Sequence, residues 1–95
     1  MNTPPQTRFF ASYSGVKLPL NLVNPLESTE HRNTFFRAHY NANEQLVLCE
    51  KVVYGEVEIS HCYQYYPNGS LKSAEITDED QVVQVINFSD DGERI

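Results

Sequence analysis

The sequence predicts a mainly β protein, an antiparallel meander of six to eight strands forming a curled sheet or an incomplete barrel. Three observations carry this reading. Short alternating runs rich in Val, Ile, Tyr and Phe recur along the chain, and turn-forming dipeptides separate them. A weak repeat also returns at about the length of one hairpin plus its connection: Tyr40-Asn43-Glu44-Leu46, Tyr65-Asn68-Gly69-Leu71 and Phe88-Asp91-Gly92.

Taken in order, Met1 to Thr7 is polar and carries prolines, so residues 1–7 are expected to be disordered. Arg8 to Tyr13 and Val16 to Val23 read as strands around Ser14-Gly15, where glycine accepts the positive φ of a tight turn. Pro19 donates no amide and places its strand at an edge or makes it irregular. Asn24-Pro25 breaks the run, and the polar stretch after it has room for at most one short helical turn near 26–33. Residues 8–33 thus form an N-terminal hairpin and connector, and 34–95 a hairpin meander, within one domain over 1–95. That length encloses about one hydrophobic core. The last copy of the repeat leaves room only for the stub of a final strand.

Turn chemistry predicts a register. Gly55-Glu56 fits a two-residue loop with glycine first, which sets Tyr54 opposite Val57, Cys49 opposite Cys62 and Glu50 opposite His61. The corner from Tyr66 to Ser70 fits a type I turn followed by glycine in a bulge, which sets Tyr65 opposite Leu71 and His61 opposite Glu75. Matching the repeat sets Phe36 opposite Glu50 and Tyr40 opposite Leu46. Because side chains alternate across a strand, this register gathers Phe36, Ala38, Tyr40, Leu46, Leu48, Val52, Tyr54, Val57, Ile59, Tyr63, Tyr65, Leu71, Ile86 and Phe88 on one face. The opposite face is mixed, and the N-terminal hairpin or another subunit is expected to cover part of it.

On the apolar face the register creates a polar row of Glu50, His61 and Glu75 on three adjacent strands, spaced so that carboxylates could hold an imidazolium, or all three could hold a cation. A satisfied ion-pair ladder at the open edge of a core accounts for the same residues. Two carboxylates and one imidazole also fall short of a closed zinc site. Tyr63, Tyr65 and Tyr66 form a cluster that suits a binding surface, although tyrosines equally favour strand interiors. Cys49 and Cys62 are expected as thiols, since neither a Cys-x-x-Cys turn nor a helix N-terminus is present to activate them.

The formal charge is −6, and it is uneven. Lys51, Lys72 and Arg94 are the only basic residues after Ala42, against eleven carboxylates. An acidic half disfavours direct nucleic-acid binding, which wants a basic stripe, and leaves open an inhibitor of a basic partner. No stretch nears the roughly 20 apolar residues of a membrane helix, and no leader pattern is visible, so the expectation is a cytoplasmic protein without a membrane partner. No nucleophile elbow, Walker loop or dinucleotide fingerprint occurs, and no cofactor is implied.

The segments Phe9 to Glu27 (FFASYSGVKLPLNLVNPLE), Arg32 to Tyr40 (RNTFFRAHY) and Cys49 to Glu58 (CEKVVYGEVE) resemble a family of small bacterial proteins of unknown function. That resemblance implies a bacterial cytosolic origin and assigns no catalytic residue. Tyr65 to Leu71 is more loosely similar to the aromatic, Asn-Gly, Leu hairpins of antitoxin-like and YD-type repeat proteins. The residues thus favour a non-enzymatic interaction or binding module acting on a protein partner or on itself. The alternatives are a small-ligand or metal-binding protein or enzyme using His61 with Glu50 and Glu75, and the acidic inhibitor.

Overall fold

The alternating runs resolve, in a computed structural model that describes residues 6–15 and 17–95, into seven antiparallel strands of one open sheet. These are β1 (Gln6–Ser14), β2 (Asn21–Leu26), β3 (Thr34–Tyr40), β4 (Leu46–Val53), β5 (Glu56–Tyr65), β6 (Leu71–Thr77) and β7 (Val83–Asn87). Their spatial order is β2-β1-β3-β4-β5-β6-β7, so β2 and β7 are the edges and the sheet does not close. No helix occurs among the described residues; where a helical turn had room, Arg32 N–H donates to the Thr29 carbonyl in a single turn. Of the expected disordered start, Met1 to Pro5 lie outside the described residues, and Gln6 and Thr7 begin β1, paired to Tyr40 and His39.

Four turns share one backbone. At 41–45, 66–70, 78–82 and 89–93, the first residue donates its N–H to the carbonyl of the fifth, and the fourth donates back to the first. The fourth residue has positive φ each time: Glu44, Gly69, Gln81 and Gly92. This is the type I turn followed by a left-handed residue that ends many hairpins. A side chain other than glycine pays roughly 1–2 kcal/mol there. The two turns without glycine carry an offsetting device at their first position. Asn41 Oδ1 accepts from the Asn43 and Gln45 amides, and Asp78 Oδ1 accepts from those of Asp80 and Val82. Three of these turns are the copies of the sequence repeat; Gln81 hides the fourth.

The turns hold their expected places, with Tyr40 opposite Leu46 and Tyr65 opposite Leu71, but bulges beyond them shift the ladders by one residue. A bulge at His39 sets Phe36 opposite Lys51, rather than Glu50. Another at Gln64 sets Cys62 opposite Glu75 and His61 opposite Ile76. Between β4 and β5 the loop is Tyr54-Gly55, both at positive φ, so Val53 rather than Tyr54 begins the pairing. Tyrosine is strained in that conformation, but its N–H donates to the Asn33 carbonyl at 2.7 Å, so the β2–β3 connection holds it in place. A bulge next to Val57 then sets Lys51 opposite Ile59, Cys49 opposite His61 and Glu50 opposite Ser60.

Residues directly opposite share a face, so one face carries the rows Phe36-Lys51-Ile59, Ala38-Cys49-His61-Ile76 and Tyr63-Ala74-Ile86. Phe36, Ala38, Leu46, Cys49, Tyr63 and Ala74 form its buried core. Leu48, Val52 and Val57, expected on this face, belong to the other one, where Val57 pairs with Val52, and Tyr54, also expected here, stands exposed in the loop between β4 and β5. The N-terminal hairpin covers the core face, contrary to the expectation that it shields the mixed face. β1 pairs with β3 through Gln6 to Phe10 and with β2 through Phe9 to Ser14, so its second half swings over the sheet. The connection from Ser14 to Asn21 is correspondingly longer than a two-residue turn, and it lays Leu18 and Leu20 on the core, joined by Leu22 of β2. The strand expected over Val16 to Val23 is reduced to β2; Val16 itself lies outside the described residues. Asn24 and Pro25 do not break the chain but sit within β2, where an edge tolerates proline's missing donor.

The other face is open over most of its area. Arg37, Glu50, Cys62, Glu75 and Val85 stand on it, and only near β1 do Phe9, Phe35 and Val52 pack there, with the two phenyl rings edge to face at 5.8 Å.

Candidate functional site

Beneath the N-terminal hairpin lies a cavity of about 130 Å³, lined by Tyr13, Leu20, Phe36, Cys49, Lys51, Ile59 and His61. Each wall follows from the register. Cys49 and His61 are direct neighbours across β4 and β5, and Lys51 and Ile59 form the next pair on the same face. The swing of β1 brings Tyr13 against Phe36, ring centroids 5.6 Å apart, and the connection supplies Leu20.

The polar centre is a short chain of hydrogen bonds. Leu20 N–H donates to Tyr63 Oη at 3.2 Å, and Tyr63 Oη lies 2.7 Å from His61 Nδ1. A phenol that accepts from an amide has its own proton left to give, and His61 Nδ1 is the acceptor within reach. This arrangement favours the tautomer with the imidazole proton on Nε2. Burial pushes the His61 pKa down and the Tyr63 pKa up, which keeps both neutral near pH 7. Burial, then the Glu50 charge, pushes the Cys49 thiol up to about 11, the opposite of what a nucleophile needs. The cavity can bind through donors; it holds no activated nucleophile.

The structure separates the expected row of Glu50, His61 and Glu75. The two bulges leave His61 opposite Cys49 and Ile76 on the covered face, while Glu50 and Glu75 stand on the open one. Glu50 instead meets Arg37 Nε at 2.9 Å and His39 Nε2 at 3.4 Å, and His39 Nδ1 lies 3.1 Å from Thr7 Oγ1. Burial pushes the Glu50 carboxyl up, but the Arg37 hydrogen bond and charge, followed by those of His39, outweigh it and hold the pKa below the usual value. His39 is thus the histidine that Glu50 engages. The signal was present in Arg37 and His39 alternating onto one face of β3, but it needed the correct register to β4. Among the described residues, no three His, Cys, Asp or Glu side chains could hold a metal together.

The polar tips of the tyrosine cluster have partners within the fold. Tyr63 is buried, Tyr65 Oη donates to the Leu46 carbonyl at 2.6 Å, and Tyr66 Oη donates to the Phe88 carbonyl at 2.7 Å. All three hydroxyls are spent inside the fold. Cys49 and Cys62, expected face to face, project to opposite sides of the sheet, one buried and one exposed, and both are free thiols.

A second feature lies at the β7 edge. Phe88 N–H donates inward to the Lys72 carbonyl, so by alternation Gln84 and Ile86 also direct their backbone groups toward β6, while Val83, Val85 and Asn87 direct theirs outward. Ile95 N–H takes the Asn87 carbonyl, as part of the stub hairpin that pairs Arg94 with Phe88. The outward groups of Val83 and Val85 have no partner among the described residues, and both side chains are exposed.

A family model matches residues 2–95. The chain belongs to DUF6156, a family of unknown function. Among curated proteins and among solved structures, nothing matches the chain. DUF6156 membership covers nearly the whole chain and assigns no activity to either the cavity or the edge.

Proposed function

We propose that the protein is a non-enzymatic interaction module that pairs with a second copy of itself through β7. The observation that carries this reading is the bare outer edge at Val83 and Val85, flanked by the exposed Val82. Exposed apolar edges attract strands, and proteins that avoid pairing blunt theirs with lysine, proline or bulges. β7 has none of these.

The edge is also complementary to itself. Two antiparallel copies related by a two-fold axis at Gln84 set Val83 opposite the second copy's Val85, in a pair whose outward N–H and C=O groups face one another. Val82 then meets Ile86, and no charge opposes a like charge. Asn87, already used by Ile95, stays out of the ladder. A ladder this short belongs with weak interfaces, so the dimer is expected to dissociate on dilution. The proposal places the module in a bacterial cytoplasm, on the resemblance carried by Phe9 to Glu27, Arg32 to Tyr40 and Cys49 to Glu58. The protonated Cys49 thiol and the separated carboxylates support the non-enzymatic part.

The test is sedimentation equilibrium over a wide concentration range. Wild type should shift from monomer to dimer, and Val85→Pro, which removes an outward N–H and leaves the ladder to β6 intact, should stay monomeric with an unchanged circular dichroism spectrum. A wild type that is monomeric at the highest concentration overturns the reading, as does a dimer that survives Val85→Pro.

A further inference from the structure

We propose that the cavity under the N-terminal hairpin is a binding site for a small, uncharged, ring-sized molecule that carries one hydrogen-bond acceptor, held by His61 Nε2–H. This site is separate from the β7 edge, and neither depends on the other.

Size comes first. A cavity near 150 Å³ admits a benzene-sized molecule, and about 130 Å³ admits one ring and little more. Drug-sized ligands need several hundred Å³, so a nucleotide or a larger cofactor would not fit within this space and would have to project from its mouth.

Polarity narrows the class. Phe36, Ile59, Leu20 and Tyr13 supply apolar walls around the imidazole. His61 Nδ1 is satisfied by Tyr63, whereas Nε2 has no hydrogen-bond partner among the described residues. No buried side-chain nitrogen or oxygen is left unpaired among them, so Nε2 is within reach of a water-sized molecule, and His61 is on the cavity lining. The Leu20 to Tyr63 to His61 chain fixes the ring as an Nε2–H donor before anything binds, which lowers the cost of ordering it. Cys49 adds a weak S–H donor directly across the sheet. The site therefore offers donors and calls for an acceptor.

Charge decides the rest. Lys51, the one cation on the lining, is already paired to Glu58 at 3.1 Å, so no net positive charge is left for an anion. A carbonyl, ether or hydroxyl oxygen on an apolar ring satisfies the donor without introducing an unpaired charge.

Titration of 15N-labelled protein with cyclohexanone, benzene and benzoate, followed by NMR, tests the assignment. Cyclohexanone should produce saturable shifts at the Leu20 amide and at His61 Nε2, and bind at least tenfold more tightly than benzene, which lacks the acceptor, or benzoate, which carries charge. His61→Phe should erase the advantage of the ketone over benzene. No saturable shift, equal binding of the three probes, or an advantage that survives His61→Phe overturns the proposal. Should that variant not fold, the ring 15N shifts of the free wild type decide: a proton found on Nδ1 overturns the proposal as surely.

Discussion

The two faces of this sheet carry similar residues to opposite ends. Cys49 and Cys62, both free cysteines and each next to a glutamate in the ladder or the chain, differ because the N-terminal hairpin covers one face and leaves the other open. On the covered side burial controls chemistry: the thiol stays protonated, the imidazole stays neutral, and the phenol of Tyr63 is tied into a hydrogen-bond chain. On the other side burial also pushes the Glu50 carboxyl up, but Arg37 and His39 together outweigh it, so Glu50 is ionised more readily. Covering, more than residue type, determines what each group can do.

The largest way to break this contrast is to empty the covered face. Tyr63→Ala removes a ring with 3% exposure together with its links to Leu20 and His61. It should destabilise the fold by about 3–5 kcal/mol. Cys62→Ala on the open face should stay within about 0.5 kcal/mol. Urea unfolding of both variants measures the difference; equal losses would mean that the hairpin does not cover the core in solution.

A smaller effect sharpens the comparison at the thiols. A disulfide reagent such as Ellman's should label Cys62 in the native protein, and Cys49 should react on the order of a hundredfold more slowly, at the rate of opening. Mass spectrometry of the labelled peptides distinguishes the two. Comparable labelling would place Cys49 at the surface.

The smallest effect is in pH, and the two faces should respond in different windows. His61 has a folded pKa below its ordinary 6.5, so near and below that pH the unfolded chain binds the extra proton. Stability is then full above pH 6.5 and declines as pH falls toward the folded value. Glu50 has a folded pKa below its ordinary 4.5, so its contribution is present above pH 4.5 and disappears as pH falls through that lower folded value. His61→Phe should remove the upper window and Glu50→Gln the lower one, each by about 1 kcal/mol or less. Urea midpoints measured from pH 7 to pH 3 test this, and a lower window that persists in Glu50→Gln would move the acid response to other carboxylates.

Much of the fold was readable from residues alone. Tyr40, Tyr65 and Phe88 each announce a turn, and the turn geometry is local, set by a residue at positive φ and by side chains such as Asn41 that bind their own backbone. The site was not readable in the same way. A bulge inserts one residue without a sequence mark as strong as a glycine turn, and one residue is enough to move a side chain to the other face. That single step separated His61 from Glu50 and Glu75 and gave it Cys49 and Ile76 as cross-strand neighbours instead. Tyr54 shows the cause most directly: its positive φ is unfavourable locally and is held by Asn33, which lies 21 residues earlier.

By itself, then, the sequence determined the β class, the antiparallel meander, the place of the turns after Tyr40, Tyr65 and Phe88, and the acidic character of the second half, because alternation, turn preference and charge all act over a few neighbouring residues. Only the tertiary structure decided which face is covered, which histidine meets Glu50, and which strand edge is left bare. Those outcomes depend on how β1 bends between two partners and where the ladders bulge, and both are settled by contacts between residues far apart in the chain.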